Sequence, residues 1–241
     1  MAANPDRIAR TLLELQPYIE RARTFSGWSF DLFRDIDAPP SWDYVAIARD
    51  HASRASRVLD LGTGGGEVLS RIAEGVATRF VATEEWHVNA PVARDRLAPL
   101  GVPVVRAQSE QQRDDLVRER KGPLPFRDDA FDLVLSRHEG IMPAEIDRLL
   151  RPGGLFLTQQ VARGQWEELR AFFPRMTVWP DHFTGYRREF EEMGYAVTGE
   201  EYRWRVASAG LGDLVYTLLV CSWEIPGFDP VAEIDALLAM E

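Results

Sequence analysis

Residues 58–67, VLDLGTGGGE, constrain the fold of this chain more than any other stretch. A short apolar run containing an acid is followed at once by a cluster of glycines. In open α/β sheets, ligands bind where the strands end. Glycine at that place lets the backbone turn tightly and approach the ligand, because it has no Cβ. The segment therefore predicts a strand, a ligand-binding turn and a helix, in that order.

The spacing of the glycines restricts the kind of ligand. A phosphate-binding P-loop requires GxxxxGK[ST], and no lysine follows this turn. A dinucleotide-binding turn requires GxGxxG; Gly62 and Gly64 fit, but the third glycine position holds Glu67, whose carboxylate would repel a pyrophosphate. The spacing that fits is GxGxG, completed by Gly66 and preceded by Asp60. Acids around the turn favour a ligand without phosphate.

The rest of the chain alternates between apolar runs and segments with helical spacing, which is typical of a doubly wound, Rossmann-like α/β fold with a mostly parallel sheet of six to seven strands. We predict strands at 57–61, 79–84, 102–107, 131–136, 155–161 and 195–206, the last being one long strand or a hairpin that turns near Gly199. We predict helices at 5–22, 66–76, 89–97, 143–150, 165–173, 182–193, 211–223 and 230–240.

The domain organisation follows from the same pattern. Residues 1–45 are predicted to form an N-terminal helical cap or lid, since a helix is followed by an aromatic-rich stretch, and 46–241 to form the ligand-binding domain, in one compact unit. Residues 109–122 are highly charged and predict a solvated loop or an exposed helix. Either residues 195–206 form both of the final strands, or the two C-terminal helices are an insertion and the sequence ends before the last strand; we expect the second.

A second acid follows the second predicted strand. Glu84 ends this strand, 18 residues after Gly66, and Glu85 lies beside it. The two oxygens of one carboxylate can accept both the 2′- and the 3′-hydroxyl of a ribose. The same acid would serve a nicotinamide dinucleotide, so it supports the fold more than it identifies the ligand.

Two further segments complete a resemblance to a known family. LPFRDDAFDLVLSRHE (124–139) and EIDRLLRPGGLFLTQQV (145–161) follow the glycine turn in the order and spacing seen in class I S-adenosylmethionine (SAM)-dependent methyltransferases, of the small-molecule type. The resemblance implies a methyltransferase that uses SAM and releases S-adenosylhomocysteine (SAH). It also implies the cofactor-binding residues Asp60, Gly62, Thr63, Gly64, Gly66, Glu84, Glu85, Gln108, Ser109 and Ser136, with Gln108 and Ser109 beside the adenine.

The resemblance also implies that the SRHE segment, at the end of the fourth predicted strand, meets the methyl group and the substrate. His138 and Glu139 are the candidate catalytic residues, because an imidazole with a pKa near 6.5 suits a general base. The alternative is that His138 and Glu139 only hold the loop together. Candidate substrate contacts are Trp28, Arg137, Gln160, His182 and Tyr186, each of which has ordinary packing or surface pairing as its alternative.

Composition limits the partners. The formal net charge of −10 disfavours a nucleic-acid substrate, since proteins that grip phosphates usually present a basic surface. The single cysteine, Cys221, excludes a disulfide within the chain, and no apolar run is long enough to span a bilayer. We expect a cytoplasmic protein with a small-molecule substrate, no nucleic-acid or membrane partner and no metal. An RNA or protein methyltransferase, a non-catalytic SAM-binding protein and non-methyl SAM chemistry remain alternatives.

Overall fold

The computed structural model describes residues 4–29, 32–107 and 123–240. Within these ranges the strands are β1 (Phe33–Asp35), β2 (Arg57–Leu61), β3 (Arg79–Thr83), β4 (Val104–Val105), β5 (Phe131–Arg137), β6 (Leu150–Gln159) and β7 (Val206–Ser208). The α-helices are α1 (Pro5–Arg23), α2 (Tyr44–Arg54), α3 (Glu67–Ala73), α4 (Asn89–Leu97), α5 (Pro143–Leu149), α6 (His182–Glu192), α7 (Leu211–Val220) and α8 (Ile234–Leu238).

The main sheet is parallel throughout and has the strand order β4-β3-β2-β5-β6. The chain runs outward from β2 through β3 to β4, and then crosses back to β5 on the other side of β2. This reversal leaves a crevice above the carboxyl ends of β2 and β5, where open α/β sheets bind their ligands. The predicted doubly wound α/β fold is confirmed.

Helices cover both faces of this sheet. Val58 and Leu133 pack with α2, α3 and α4 on one face, whereas their neighbours Leu59 and Val134 pack with α5 and α6 on the other. Successive side chains of a strand point to opposite faces. Strands that are buried on both faces are read as continuous apolar runs, which is why β2 and β5 are recognisable in the sequence.

Several helices begin where a capping side chain satisfies free backbone N–H groups. The Oδ1 atom of Asn4 accepts from the N–H of Asp6 at 3.0 Å at the start of α1, and Asp43 and Asp181 serve α2 and α6 in the same way. Proline lies in the first turn of α1 and of α5. It lacks a backbone N–H, but an N–H in the first turn has no acceptor within the helix, so no hydrogen bond is lost.

A third apolar cluster lies apart from the sheet and joins the two ends of the chain. Leu15 of α1 packs with Val215 and Leu218 of α7 and with Leu237 of α8. The antiparallel pair β1–β7 adds a second link between the N-terminal and C-terminal regions. Residues 32–43 are extended rather than helical, so the predicted N-terminal helical cap is helical only in α1. The division of the chain at residue 45 stays a prediction.

The sixth strand predicted at 195–206 is wrong. Residues 195–205 contain no strand, and β7 pairs with β1 instead of joining the main sheet. The alternating aromatic residues of this stretch bind the extended N-terminal segment through their side chains: the Tyr202 hydroxyl donates to the carbonyl of Ala38, and the Trp204 indole N–H donates to Asp35, both at 3.0 Å. Backbone hydrogen bonds join the two segments at Arg205, whose carbonyl accepts from the N–H of Ile36 at 2.9 Å, and the two aromatic side chains extend this attachment.

Other differences concern the lengths of elements. The third strand of the sheet, predicted at 102–107, is reduced to the two residues of β4. The strand β6 begins at Leu150 and so contains the RPGG turn, with an irregular register between β5 and β6. The helix predicted at 165–173 is a short 3₁₀ turn, Glu167–Ala171. Among the described residues, no helix has the length and apolar character needed to cross a membrane.

Candidate active site

The glycine turn lies directly after β2 and is tied to the neighbouring strand β3. Gly62, Gly64 and Gly66 all have positive φ angles, in the left-handed region that strains other residues. The N–H of Thr63 donates to the carbonyl of Thr83 at 2.9 Å, and the N–H of Gly62 donates to the Thr83 hydroxyl at 3.2 Å. These bonds fix the turn above the carboxyl end of β2, where the strand order reverses.

Glu84 is joined to the same turn. Its two carboxylate oxygens accept from the N–H of Gly64 at 2.7 Å and from the N–H of Trp86 at 2.8 Å. Burial raises the pKa of Glu84 to about 7; these two hydrogen bonds oppose that rise, and the charges of Glu85 and Glu67 add to it. A carboxylate oxygen can accept more than one hydrogen bond, so both oxygens retain capacity for a ribose diol.

Asp60 is the second buried acid of the site, with 8% of its surface exposed. Burial, together with the charge of Glu84, raises the pKa of Asp60 to about 7. Two acids in a buried site disfavour a phosphate and favour a cationic ligand. The residues present therefore fit SAM, which has a sulfonium and an amino group and no phosphate, and Glu84 would hold its ribose.

The end of β5 brings a second carboxylate to the glycine turn. A Cβ placed on Gly62 would collide with Oε2 of Glu139, so the Glu139 side chain rests directly on the glycine backbone. The Gln160 side chain donates to the carbonyl of Glu139 at 3.0 Å and to the Thr158 hydroxyl at 2.8 Å. Ser136 is buried beneath them, and its carbonyl accepts from the Tyr44 hydroxyl at 3.4 Å. Tyr44 is a contact that the sequence analysis missed.

His138 and Arg137 lie beside Glu139 but are held by β6. The backbone N–H of His138 donates to the carbonyl of Gln159 at 2.9 Å, and Nε of Arg137 donates to Oε1 of Gln159 at 2.8 Å. The surrounding protein and the charge of Arg137 lower the pKa of His138 to about 4, although part of the residue stays in contact with solvent. The imidazole is thus neutral at physiological pH and is a weaker proton acceptor than a free histidine.

The remaining predicted residues fall into three groups. Trp28 lies on Gly64, with its Cδ1 atom in the space that a Cβ would occupy. His182 and Tyr186 stack on each other in α6 with ring centroids 5.3 Å apart, and Trp179, 6.2 Å from His182, donates its indole N–H to Glu224 at 3.0 Å. Gln108 and Ser109 lie outside the described residues. Asn89, which is fully buried and binds the backbone N–H of Gly27, was missed because a single asparagine at a helix start gives no signal.

Comparison with known proteins supports this description. Residues 59–158 match a family model described as a methyltransferase domain. Among curated proteins, none matches the chain at a significant level.

Solved structures are similar to parts of this chain. A candidate sarcosine dimethylglycine methyltransferase from Galdieria sulphuraria is 14% identical and has a TM-score of 0.51, over 82% of this chain and 76% of that one. A SAM-dependent methyltransferase from Aquifex aeolicus is 18% identical with a TM-score of 0.40, over 50% and 65% of the two chains. The YcgJ protein of Bacillus subtilis is 19% identical with a TM-score of 0.46, over 62% and 66%.

The alignments with the Aquifex and Bacillus proteins span just under two thirds of those chains. The family match covers the glycine turn, Glu84 and the end of β5, the same elements that converge on the crevice of the sheet. Residues 59–158 of this chain are thus similar to a methyltransferase domain.

Proposed function

We propose that this chain transfers the methyl group of SAM to a small-molecule acceptor. The observation that carries the proposal is the position of the Glu139 carboxylate, at the end of β5 and directly against the glycine turn. SAM supplies a methyl group that is already activated on a sulfonium, so the protein has to bind, orient and, where the nucleophile is protonated, remove a proton.

In this proposal Glu84 binds the ribose hydroxyls, and the backbone of the glycine turn supports the methionine part of the cofactor. Glu139 is better placed than His138 to orient or deprotonate the acceptor, since its carboxylate lies over Gly62, whereas the backbone of His138 is bound to β6 and its pKa is lowered. Gln160 fixes the Glu139 backbone.

Two features support a small acceptor over RNA or protein. The chain is acidic, with a net charge of −10, which disfavours a phosphate backbone. The Glu139 carboxylate lies directly against Gly62, which leaves a narrow approach to the turn for a bulky substrate. The cytoplasmic location and the roles of Arg137, His182, Tyr186, Gln108 and Ser109 stay predictions from the sequence.

The test is an SAH-release assay with panels of small amines, phenols, thiols and carboxylates, run beside total RNA and unfolded protein. We expect release with a small acceptor, and a kcat at least about 100-fold lower in Glu139→Gln, the usual contribution of a positioned acid or base. His138→Ala is expected to lower kcat by less than tenfold. Glu192→Gln, an exposed carboxylate on α6, is the matched control and should leave turnover unchanged.

Two results would contradict the proposal. Release of SAH only with RNA or protein would exclude the small-molecule assignment. Binding of SAM without turnover on any panel would favour a non-catalytic role. If His138→Ala, and not Glu139→Gln, lost activity, then the roles of these two residues would be reversed.

A further inference from the structure

Residues 25–28, which follow α1, form an N-terminal strap across the glycine turn. The indole of Trp28 rests on Gly64, as described above, and packs against Trp223 with ring centroids 5.7 Å apart. Gly64 and Gly62 present the backbone surface on which a class I cofactor has to lie. In the conformation described, the Trp28 ring occupies the surface of Gly64.

The backbone of the strap is held by Asn89 at the start of α4 and by Glu67 at the start of α3. The N–H of Gly27 donates to Oδ1 of the buried Asn89 at 2.7 Å, and the N–H of Trp28 donates to Oε1 of Glu67 at 3.4 Å. The approach is close: a Cβ on Gly65 would lie 2.8 Å from the Cα of Gly27, and a Cβ on Gly27 would lie 2.5 Å from Oε1 of Glu67. The strap can take this position because residue 27 is a glycine, with a φ of 79°.

Aromatic contacts anchor the other end of the strap. The ring of Phe25 stacks on Trp86 with centroids 6.0 Å apart and an angle of 24° between the planes, and meets Trp28 edge-on at 5.1 Å. Trp86 is also the residue whose N–H binds Glu84. The strap is thereby connected to the acid that would hold the ribose.

We propose that the strap is an inhibitory cover, which excludes the cofactor from the glycine turn until it swings away with Trp28. This inference rests on the proposed function, since it concerns the regulation of the same site. The strap and the cofactor compete for one surface, so the apparent dissociation constant of the cofactor equals the intrinsic constant divided by the fraction of open molecules. Weakening the strap from a position that does not contact the cofactor surface should tighten binding. A lid that closes over bound cofactor would respond in the opposite direction.

Gly27→Ala is the variant of choice. The left-handed φ is strained in alanine, and the new Cβ meets Oε1 of Glu67, the acceptor for the N–H of Trp28, so we expect the closed position to lose that hydrogen bond. Losing one such bond in the closed state shifts the equilibrium about fivefold. Gly153→Ala is the matched control, because Gly153 has a φ of 78° and no atom lies within 4 Å of the added Cβ. Both variants carry the same backbone strain, and only one disturbs the strap.

The measurement is SAH binding by calorimetry and by stopped-flow tryptophan fluorescence. We expect Gly27→Ala to bind SAH about fivefold more tightly than the wild type, with a faster association rate, and Gly153→Ala to bind like the wild type. Equal or weaker binding by a folded Gly27→Ala variant would overturn the inhibitory cover while leaving the proposed function intact. If the wild type and both variants all fail to bind SAH, the proposed function fails, and the strap proposal with it.

A second variant keeps the proposal testable if Gly27→Ala does not melt cooperatively. Phe25→Ala removes the stacking on Trp86 without adding an atom near the glycine turn. It should also tighten SAH binding severalfold, and Leu13→Ala, on the exposed surface of α1, should not. Weaker binding in Phe25→Ala would identify the strap as a lid that holds the cofactor in place.

Discussion

Arg148 is predicted to be a major source of stability because it joins the loop before β5 to α5. Its guanidinium donates to Glu145 at 2.5 and 2.9 Å, to Asp128 at 2.7 Å, and to the carbonyls of Phe126 at 2.9 Å and Leu124 at 3.2 Å. Glu145 is buried and also accepts from the N–H of Leu124 at 2.8 Å. These contacts join segment 124–139 to segment 145–161, the two segments that carry the resemblance to methyltransferases.

The expected loss of stability follows from the buried Glu145 carboxylate, which Arg148→Met would leave without its ion-pair partner. Breaking a buried ion pair by removing one partner costs about 3–5 kcal/mol, because the other charge stays buried without compensation. The Arg148 side chain is 25% exposed, so water can reach part of the site and the lower limit of about 3 kcal/mol applies. For a chain of this size, about 1 kcal/mol shifts Tm by roughly 2–4 °C, so we expect Tm to fall by roughly 6–12 °C.

Thermal denaturation followed by circular dichroism measures this shift, with Arg187→Met as the control. Arg187 pairs with Glu191 on the surface of α6, where both side chains are nearly half exposed. Surface pairs four residues apart on a helix contribute only about 0.5 kcal/mol. The double variant Glu145→Gln/Arg148→Met should recover part of the loss, because it removes the uncompensated charge. Equal shifts in Arg148→Met and Arg187→Met, or no recovery in the double variant, would refute the reasoning.

Two further predictions concern the glycine turn and its acids. The folded pKa values of Glu84 and Asp60 are raised to about 7, so between about pH 4 and 7 the native state binds more protons than the unfolded state and its stability falls as the pH rises. The lowered pKa of His138 opposes this trend, whereas the raised pKa of the buried Glu224 adds to it. Tm should therefore be higher at pH 5.5 than at 7.5, and Glu84→Gln should reduce the difference. An unchanged difference would show that Glu84 is ionised normally. Gly62→Ala places a Cβ against Glu139 and should weaken SAH binding more than about tenfold. Its control is Gly101→Ala, which also has a positive φ but has open space around it, and which should lose only about 1 kcal/mol of stability from backbone strain. Equal binding by these two glycine variants would contradict the assignment of the turn.

Much of the fold was predictable because its signals are local. The strand β2 and the helix α4 have the predicted bounds, since a continuous apolar run and a helical repeat are both encoded within one element. The glycine spacing and Glu67 excluded two phosphate-binding turns through residue types alone. The strand predicted at 195–206 failed because a strand requires a partner, and the pattern of side chains does not say whether one exists.

The candidate site was predictable in its parts but not in its arrangement. The sequence placed Glu84 and Glu139 at strand ends, because the bounds of the second and fourth predicted strands were enough to locate them. It could not show that Glu84 binds the N–H of Gly64, or that Glu139 rests on Gly62, because these contacts join segments 20 or more residues apart. It also assigned His138 an ordinary pKa, which the surrounding protein and Arg137 lower.

The sequence by itself thus determined the α/β class, the ligand-binding turn and its preference for a ligand without phosphate, because each depends on residue types at fixed local spacing. Only the tertiary structure decided that α1 packs on α7 and α8, and that the strap after α1 crosses the glycine turn. The physical reason is that the strap's position depends on Asn89, Glu67 and Trp86, which the chain brings together only when the sheet is complete.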